Sequence, residues 1–231
     1  MLLRLVLMAL LIWRQKLSNI ILHGMWRSSA SYRVRIALNL KGLNYEQKNY
    51  ALAKKEHKTE EFLSKNPQGL IPALEIDGKI ITQSLAIMEY LDHLAPECLM
   101  LPKDPDERAR VQSLSYAIAC EIHPLLNLRI LQYLKNDLDQ DQQGVNKWYH
   151  HWIKQEFTAL EKKLSSEAAT GTFCHGDTPG LADCVLVPQV YNANRFECDL
   201  SDYPTIGRIN EECLKLKAFA DAVPENQPDA L

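Results

Sequence analysis

The sequence lacks the cysteine spacing that would tie its thiols to a metal or to one another. Its six cysteines, Cys98, Cys120, Cys174, Cys184, Cys198 and Cys213, are scattered through the last three-fifths of the chain. They form no C-x-x-C pair, and no histidine stands at zinc spacing from them. They read as the reduced thiols of a cytosolic protein, with no metal. An excess of either charge is missing as well: Lys and Arg number 26 against 29 Asp and Glu, for a formal net charge of -3. Phosphate backbones demand a clustered cationic surface, so nucleic acid is excluded as the expected partner. No internal repeat and no low-complexity run is visible. The 231 residues are enough to bury a real core in one domain or two small ones.

The one long apolar run lies in residues 2–13, broken only by Arg4 and followed by Arg14 and Lys16. It is too short to span a bilayer, which takes about 20 apolar residues. As a signal peptide it has an acceptable apolar stretch, but no small-x-small cleavage site precedes Ser18. The expectation is therefore that residues 1–17 are a leader outside the fold, that Leu17 marks an initiation codon, and that the native chain opens at or beside Ser18. The protein is then cytoplasmic, with no membrane partner.

From residue 19 the elements alternate. Residues 19–23 read as a short apolar strand stopped at Gly24, and a helix capped by Ser28 or Ser29 runs through Val34, Ala37, Leu38 and Leu40 to Gly42. Residues 45–50 alternate like a strand, and 59–65 form a short helix. Two strands around the Asp77-Gly78 turn make a hairpin. A helix from Ser84 to Pro96 follows. The order βαβ then ββα gives a small mixed sheet covered by helices, a thioredoxin-like plan. Residues 96–105 hold three prolines and read as a linker. Beyond them the pattern is helical: 106–135 with an irregularity at Pro124, then 146–164, 181–194 and 205–219, ahead of a loose tail at 224–231. The fold class is α/β plus all-α, with a thioredoxin-like domain at 18–95 and a helical-bundle domain at 106–231.

Chemistry concentrates in residues 26–38, Trp-Arg-Ser-Ser-Ala-Ser-Tyr-Arg-Val-Arg-Ile-Ala-Leu. Two serines at a strand-to-helix junction place hydroxyls and outward N–H groups where the helix dipole favours an anion. On its own this is also what an ordinary N-cap looks like. The run resembles the zeta-class signature of the glutathione transferase superfamily, Ser-Ser-Cys-Ser-x-Arg-Val-Arg-Ile-Ala-Leu, except that Ala30 stands where the family has cysteine. Residues 66–74 and 83–87 resemble the two other glutathione-binding elements of that superfamily. Residues 121–131 and 187–196 resemble further zeta-class stretches. The likeness covers about residues 19–228.

The resemblance implies a glutathione-dependent enzyme with Ser28 and Ser29 as catalytic residues. It places glutathione against Ser28, Ser29, Ala30, Ser31, Tyr32 and Arg33, with His57 nearby. Ile71 would pair with the cysteinyl unit through a cis Pro72, and Gln83 and Ser84 would take the γ-glutamyl carboxylate. From the second domain it brings His123, Asn127, Leu128 and Arg129 to glutathione, while Arg27 and Arg195 would hold the carboxylates of a small electrophilic acid. The implied reaction is isomerisation of maleylacetoacetate to fumarylacetoacetate, the implied assembly a homodimer. Maleylpyruvate isomerisation, general conjugation and a non-catalytic binding role are the alternatives. At the start of the helix near Leu181 the superfamily's Ser or Thr is replaced by Gly180 while Asp183 remains, which implies a slightly weakened capping box.

Overall fold

The computed structural model describes residues 19–230. The expected leader and the start at Ser18 lie outside the described residues. The chain divides into two compact units, one running to Cys98 and rejoined by Asp221–Leu231, the other Leu99–Ala220.

In the first unit, β1 (Ile20–Gly24) leads into α1 (Ser29–Leu40), followed by β2 (Glu46–Asn49), two 3-10 turns (Leu52–Lys54 and Glu56–Lys58) and α2 (Glu60–Lys65). Then come β3 (Ala73–Ile76), β4 (Lys79–Thr82) and α3 (Ser84–Leu94). The sheet order is β2-β1-β3-β4, with β1 parallel to β2 and antiparallel to β3. This is the mixed thioredoxin-like sheet expected from the βαβ-ββα order. The hairpin forms at Asp77 and Gly78, both at positive φ (48° and 78°), the pair of left-handed residues that a two-residue turn matched to strand twist requires.

α1 is buried along most of its length, and its two arginines are enclosed with it, Arg33 at 2% and Arg35 at 0% exposure. Enclosing such a charge is costly unless its donors are met, and those of Arg35 are. Arg35 donates to the carbonyls of Met25, Trp26 and Ala222 at 3.3, 2.7 and 3.1 Å. Lys41, just past α1, is likewise enclosed, bonding Asp92 on α3 at 2.6 Å and the carbonyls of Ala95 and Cys98. Under the sheet, His23 bridges the Tyr50 hydroxyl (2.8 Å) and Glu75 (3.1 Å), and Lys65 reaches the same Glu75 at 2.8 Å.

The tail departs from expectation. Assigned from sequence to the helical domain and to a loose end, residues 221–230 instead fold onto the first unit as a hook. Gln227 is buried and donates to the carbonyls of Asp221 and Val223, while Gln47 of β2 donates to its side-chain oxygen at 2.9 Å. A polar-looking tail of this kind is held by hydrogen bonds, which leave no apolar period to read.

In the second unit, α4 (Pro105–Tyr116) passes into a π-helical turn (Ala117–Ile122), a short α5 (His123–Leu126) and α6 (Leu128–Asn136). Proline has no N–H to donate to the carbonyl four residues back, and the widened turn comes immediately before Pro124. The irregularity expected there is thus real, and a second break follows at Asn127, which caps α6. α7 (Gln142–Ser166) buries Val145, Tyr149, Ile153, Phe157, Leu160 and Leu164 at helical spacing. α8 (Leu181–Arg195), α9 (Pro204–Leu214) and α10 (Lys217–Ala220) complete the unit, splitting the single helix expected at 205–219. Met100 and Leu101, expected in the linker, are buried in this unit's core.

Gly180 is explained at the same place. A Cβ there would sit 2.8 Å from the Met100 carbonyl oxygen, which accepts the N–H of Leu181 at 2.9 Å. Asp183 keeps its half of the capping box, accepting from Gly180 N at 2.8 Å and from Cys174 N at 2.9 Å. Its complete burial raises the carboxyl pKa against those bonds.

Candidate active site

The register of the sheet brings the expected loops to one end. Gly24 lies beside Asn49, His23 beside Ala73, and Ala73 beside Thr82. The segments that leave β1 and β2, enter β3 and leave β4 therefore issue from the same edge. They carry Ser28, His57, Ile71 with Pro72, and Gln83 with Ser84.

Ser28 is the N-cap of α1, with extended φ and ψ of -72° and 117°, and its hydroxyl accepts the N–H of Ser31 at 3.2 Å. A helix leaves the N–H groups of its first turn pointing out past its start, where the dipole adds positive potential. Ser29 is buried, Ala30 half-buried, and Arg27 exposed with its guanidinium 4.9 Å above the Trp26 ring. Ser31 is fully buried, with its Oγ lacking a partner. Tyr32 is buried alongside it, and Arg33 crosses to the Ser84 hydroxyl at 3.3 Å.

The Ile71-Pro72 peptide bond is cis, directly before β3. Asn66 braces the loop leading to it, its amide donating to the Leu70 carbonyl at 2.7 Å. At the far side Gln83 caps α3 with φ 69° and ψ 116°. A non-glycine residue at such angles costs on the order of 1–3 kcal/mol and tends to mark ligand clamps. Ser84, where the helix was expected to start, is its first helical residue, and the cap position falls to Gln83.

His57 is half-buried, with Nδ1 enclosed and without a partner, and burial lowers its pKa. Asn49 Oδ1, at the end of β2, is likewise enclosed and unmatched. Buried polar atoms are seldom left so. Unmet polar atoms of this kind are available to a polar ligand.

The remaining candidates belong to the second unit. His123 opens α5. Asn127 uses both ends of its amide in the cap of α6, accepting from Ile130 N at 3.3 Å and donating to the Pro124 carbonyl at 2.9 Å. Leu128 and Arg129 are exposed on the first turn that follows. Arg195 ends α8, its guanidinium 4.9 Å over the ring of Phe196. Sequence reasoning missed what holds the Met25–Ser28 loop: Trp26 N donates to Asp229 at 3.0 Å, across a separation of 203 residues. No local pattern signals such a contact.

The thioredoxin-like sheet end thus gathers a serine-capped helix, a cis-proline bend and a cap residue at positive φ. Residues 18–93 match the family model of the glutathione S-transferase N-terminal domain. A probable maleylacetoacetate isomerase of Vibrio cholerae is 50% identical over 215 residues, covering 92% of this chain and 99% of that protein. Among solved structures, the holo form of a maleylpyruvate isomerase, described as a bacterial zeta-class glutathione-S-transferase, superposes with a TM-score of 0.90 at 44% identity, covering 91% of this chain and 100% of the other. A maleylacetoacetate isomerase from Methylobacterium extorquens with bound malonate and glutathione gives 0.88 at 40% identity, covering 91% and 99%. The chain belongs to the zeta class of the glutathione transferase superfamily.

Proposed function

We propose that the protein converts maleylacetoacetate to fumarylacetoacetate with glutathione. The observation that carries this reading is the gathering of Ser28, the cis Pro72 bend and Ser84 at one sheet end, in a chain half identical to a probable maleylacetoacetate isomerase. When bound, glutathione would supply a thiolate that adds to the cis double bond, so that rotation about the resulting single bond and expulsion of the same thiolate restore the double bond in its trans form.

The chain's own residues do the rest. Ser28, Ser29 and the first-turn N–H groups of α1 stabilise the anion, since a free thiol near pKa 8.5 must lose its proton to act. Ser31, Tyr32, Arg33 and the backbone at Ala30 line the same helix start, with His57 at the neighbouring loop. Ile71 pairs with the peptide, while Gln83 and Ser84 take its α-carboxylate. The zeta-class resemblance also assigns His123, Asn127, Leu128 and Arg129 to the peptide. Arg27 and Arg195 hold substrate carboxylates through charge-assisted bonds. Ala30 in place of cysteine leaves this chemistry possible, because the nucleophile comes from glutathione. The working form that the family resemblance implies is a cytoplasmic homodimer. Separately, among the described residues no helix is long and apolar enough to cross a membrane.

Incubation with glutathione and maleylacetoacetate should yield fumarylacetoacetate, and omission of glutathione should abolish the product. Faster turnover of maleylpyruvate would favour the second reading, which the likeness to a maleylpyruvate isomerase supports. Conjugation without isomerisation would sink both.

A further inference from the structure

We propose that the hook formed by residues 222–229 is a positioning element for Ser28, acting through the peptide groups on either side of Trp26. The N–H of Trp26 donates to Asp229 Oδ2 at 3.0 Å. Its carbonyl accepts from Arg35 Nη2 at 2.7 Å, and the Met25 carbonyl accepts from Arg35 Nη1 at 3.3 Å. Arg35 is fully buried, and its Nε donates to the carbonyl of Ala222 at 3.1 Å. One side of the Trp26 residue is therefore held by the hook directly. The other is held by an arginine that the hook orients.

The hold is transmitted to Ser28 over a single turn, because the Met25 carbonyl that Arg35 grips also accepts the N–H of Ser28 at 3.1 Å. The hook is itself anchored: Gln227 closes it by donating to the Asp221 and Val223 carbonyls at 2.9 and 2.7 Å. Gln47 ties it to β2. Stability alone does not account for Asp229. Its second oxygen, Oδ1, is enclosed without a partner, and a carboxylate oxygen withdrawn from water and left unmet is unfavourable. An apolar side chain would avoid that cost, but it would leave the Trp26 N–H unheld.

This inference rests on reading Ser28 as the residue that stabilises the thiolate of bound glutathione, and it makes Asp229 and Arg35 positioning residues for that hydroxyl. A displacement of about 1 Å in such a group costs on the order of 100-fold in rate, so partial loosening should cost roughly ten-fold.

The test compares Asp229→Ala with Asp229→Asn, which keeps an acceptor oxygen. In the ligand-free protein, amide hydrogen exchange at Trp26 should speed up at least about ten-fold in the alanine variant and return close to wild type in the asparagine variant. With glutathione, the ultraviolet titration of the bound thiol should shift upward in Asp229→Ala. Turnover should fall roughly ten-fold, with the KM for glutathione little changed, and Asp229→Asn should recover most of both. Should Asp229→Ala not fold, Gln227→Ala opens the hook without touching the carboxylate and is read in the same way.

Faster Trp26 exchange with an unshifted thiol and unchanged turnover overturns the proposal, as does an asparagine variant no better than alanine. Ser28→Ala is titrated alongside. If it leaves the bound thiol unshifted, the Ser28 reading itself has failed and the proposal falls with it, whereas the identity of the acidic substrate does not enter the hydrogen-exchange and thiol-titration measurements.

Discussion

The guanidinium of Arg33, on the first helix, donates to the hydroxyl of Ser84, the first residue of the third helix, at 3.3 Å. Both residues are buried, so the two helix N-termini at the sheet end are joined by a charged hydrogen bond inside the protein. That bond constrains where the Ser84 hydroxyl can point, and with it the geometry Ser84 would offer to the carboxylate proposed to bind there.

Replacing Arg33 with Met keeps the buried volume but removes the donor. A hydrogen bond to a charged group contributes about 1.5–3 kcal/mol, so the melting temperature should fall measurably. The KM for glutathione should rise roughly ten-fold, a change equivalent to about 1.4 kcal/mol. An unchanged KM in a variant that melts earlier would make Arg33 a structural residue only.

Ser28→Ala should lower turnover about 100-fold to 1000-fold, the usual cost of losing one donor to a reacting anion. Its effect on glutathione affinity should be small, because Ile71, Gln83 and Ser84 would remain. The same change removes the cap that accepts Ser31 N, at about 1 kcal/mol of stability. Ser29, buried in the first turn, provides the control. Steady-state kinetics in which Ser29→Ala proves the more damaging would reverse the assignment between these neighbours.

Much of this site could be read along the chain because its parts are local. The Ser28 cap, the Asp77-Gly78 turn and the step into β3 at Pro72 each depend on residues a few positions apart. The tail was misread for the opposite reason. Gln227, Ala222 and Asp229 act through partners 180, 187 and 203 residues away, and their sequence carries no apolar period. The break at Asn127 was missed because residues 125–131 keep a helical spacing of leucines on either side of it, and a capping asparagine inside such a run looks like one more polar position.

His23 predicts a pH dependence. Burial, opposed by its bond to Glu75, lowers its pKa below the ordinary 6.5. The unfolded chain then takes up a proton at a higher pH than the folded one, so stability should be full above about pH 6.5 and decline as pH falls below it. Lys65 and Lys48 oppose the charged imidazole from the same side, while Glu75 favours it. Glu75, whose pKa is lowered by Lys65 and His23, adds a further loss below its ordinary value of 4.5. Thermal melts between pH 7.5 and 5 should fall less steeply in His23→Asn than in the wild type; equal slopes would remove His23 as the cause.

The last prediction concerns Arg195. Its guanidinium lies 4.9 Å over the ring of Phe196, and that ring is stacked on Tyr149 at 3.8 Å with only 6° between their planes. Tyr149 is fully buried and its phenol pKa is raised by that burial, so the aromatic pair is a firm base for an exposed cation. If Arg195 binds a substrate carboxylate, Arg195→Ala should raise the KM for the acid strongly and leave glutathione affinity nearly unchanged. Loss of a charge-assisted bond of about 1.5–3 kcal/mol amounts to roughly ten-fold to a hundred-fold in kcat/KM. A neutral chlorinated aromatic electrophile, which carries no carboxylate, should be conjugated at the same rate by both proteins. The competing view is that Arg195 pairs on the surface with Glu197 or Asp199, where such pairs contribute about 1 kcal/mol or less. Were it right, the variant would lose a little stability and treat acidic and neutral electrophiles alike, and kinetics with the two substrates side by side separate the outcomes.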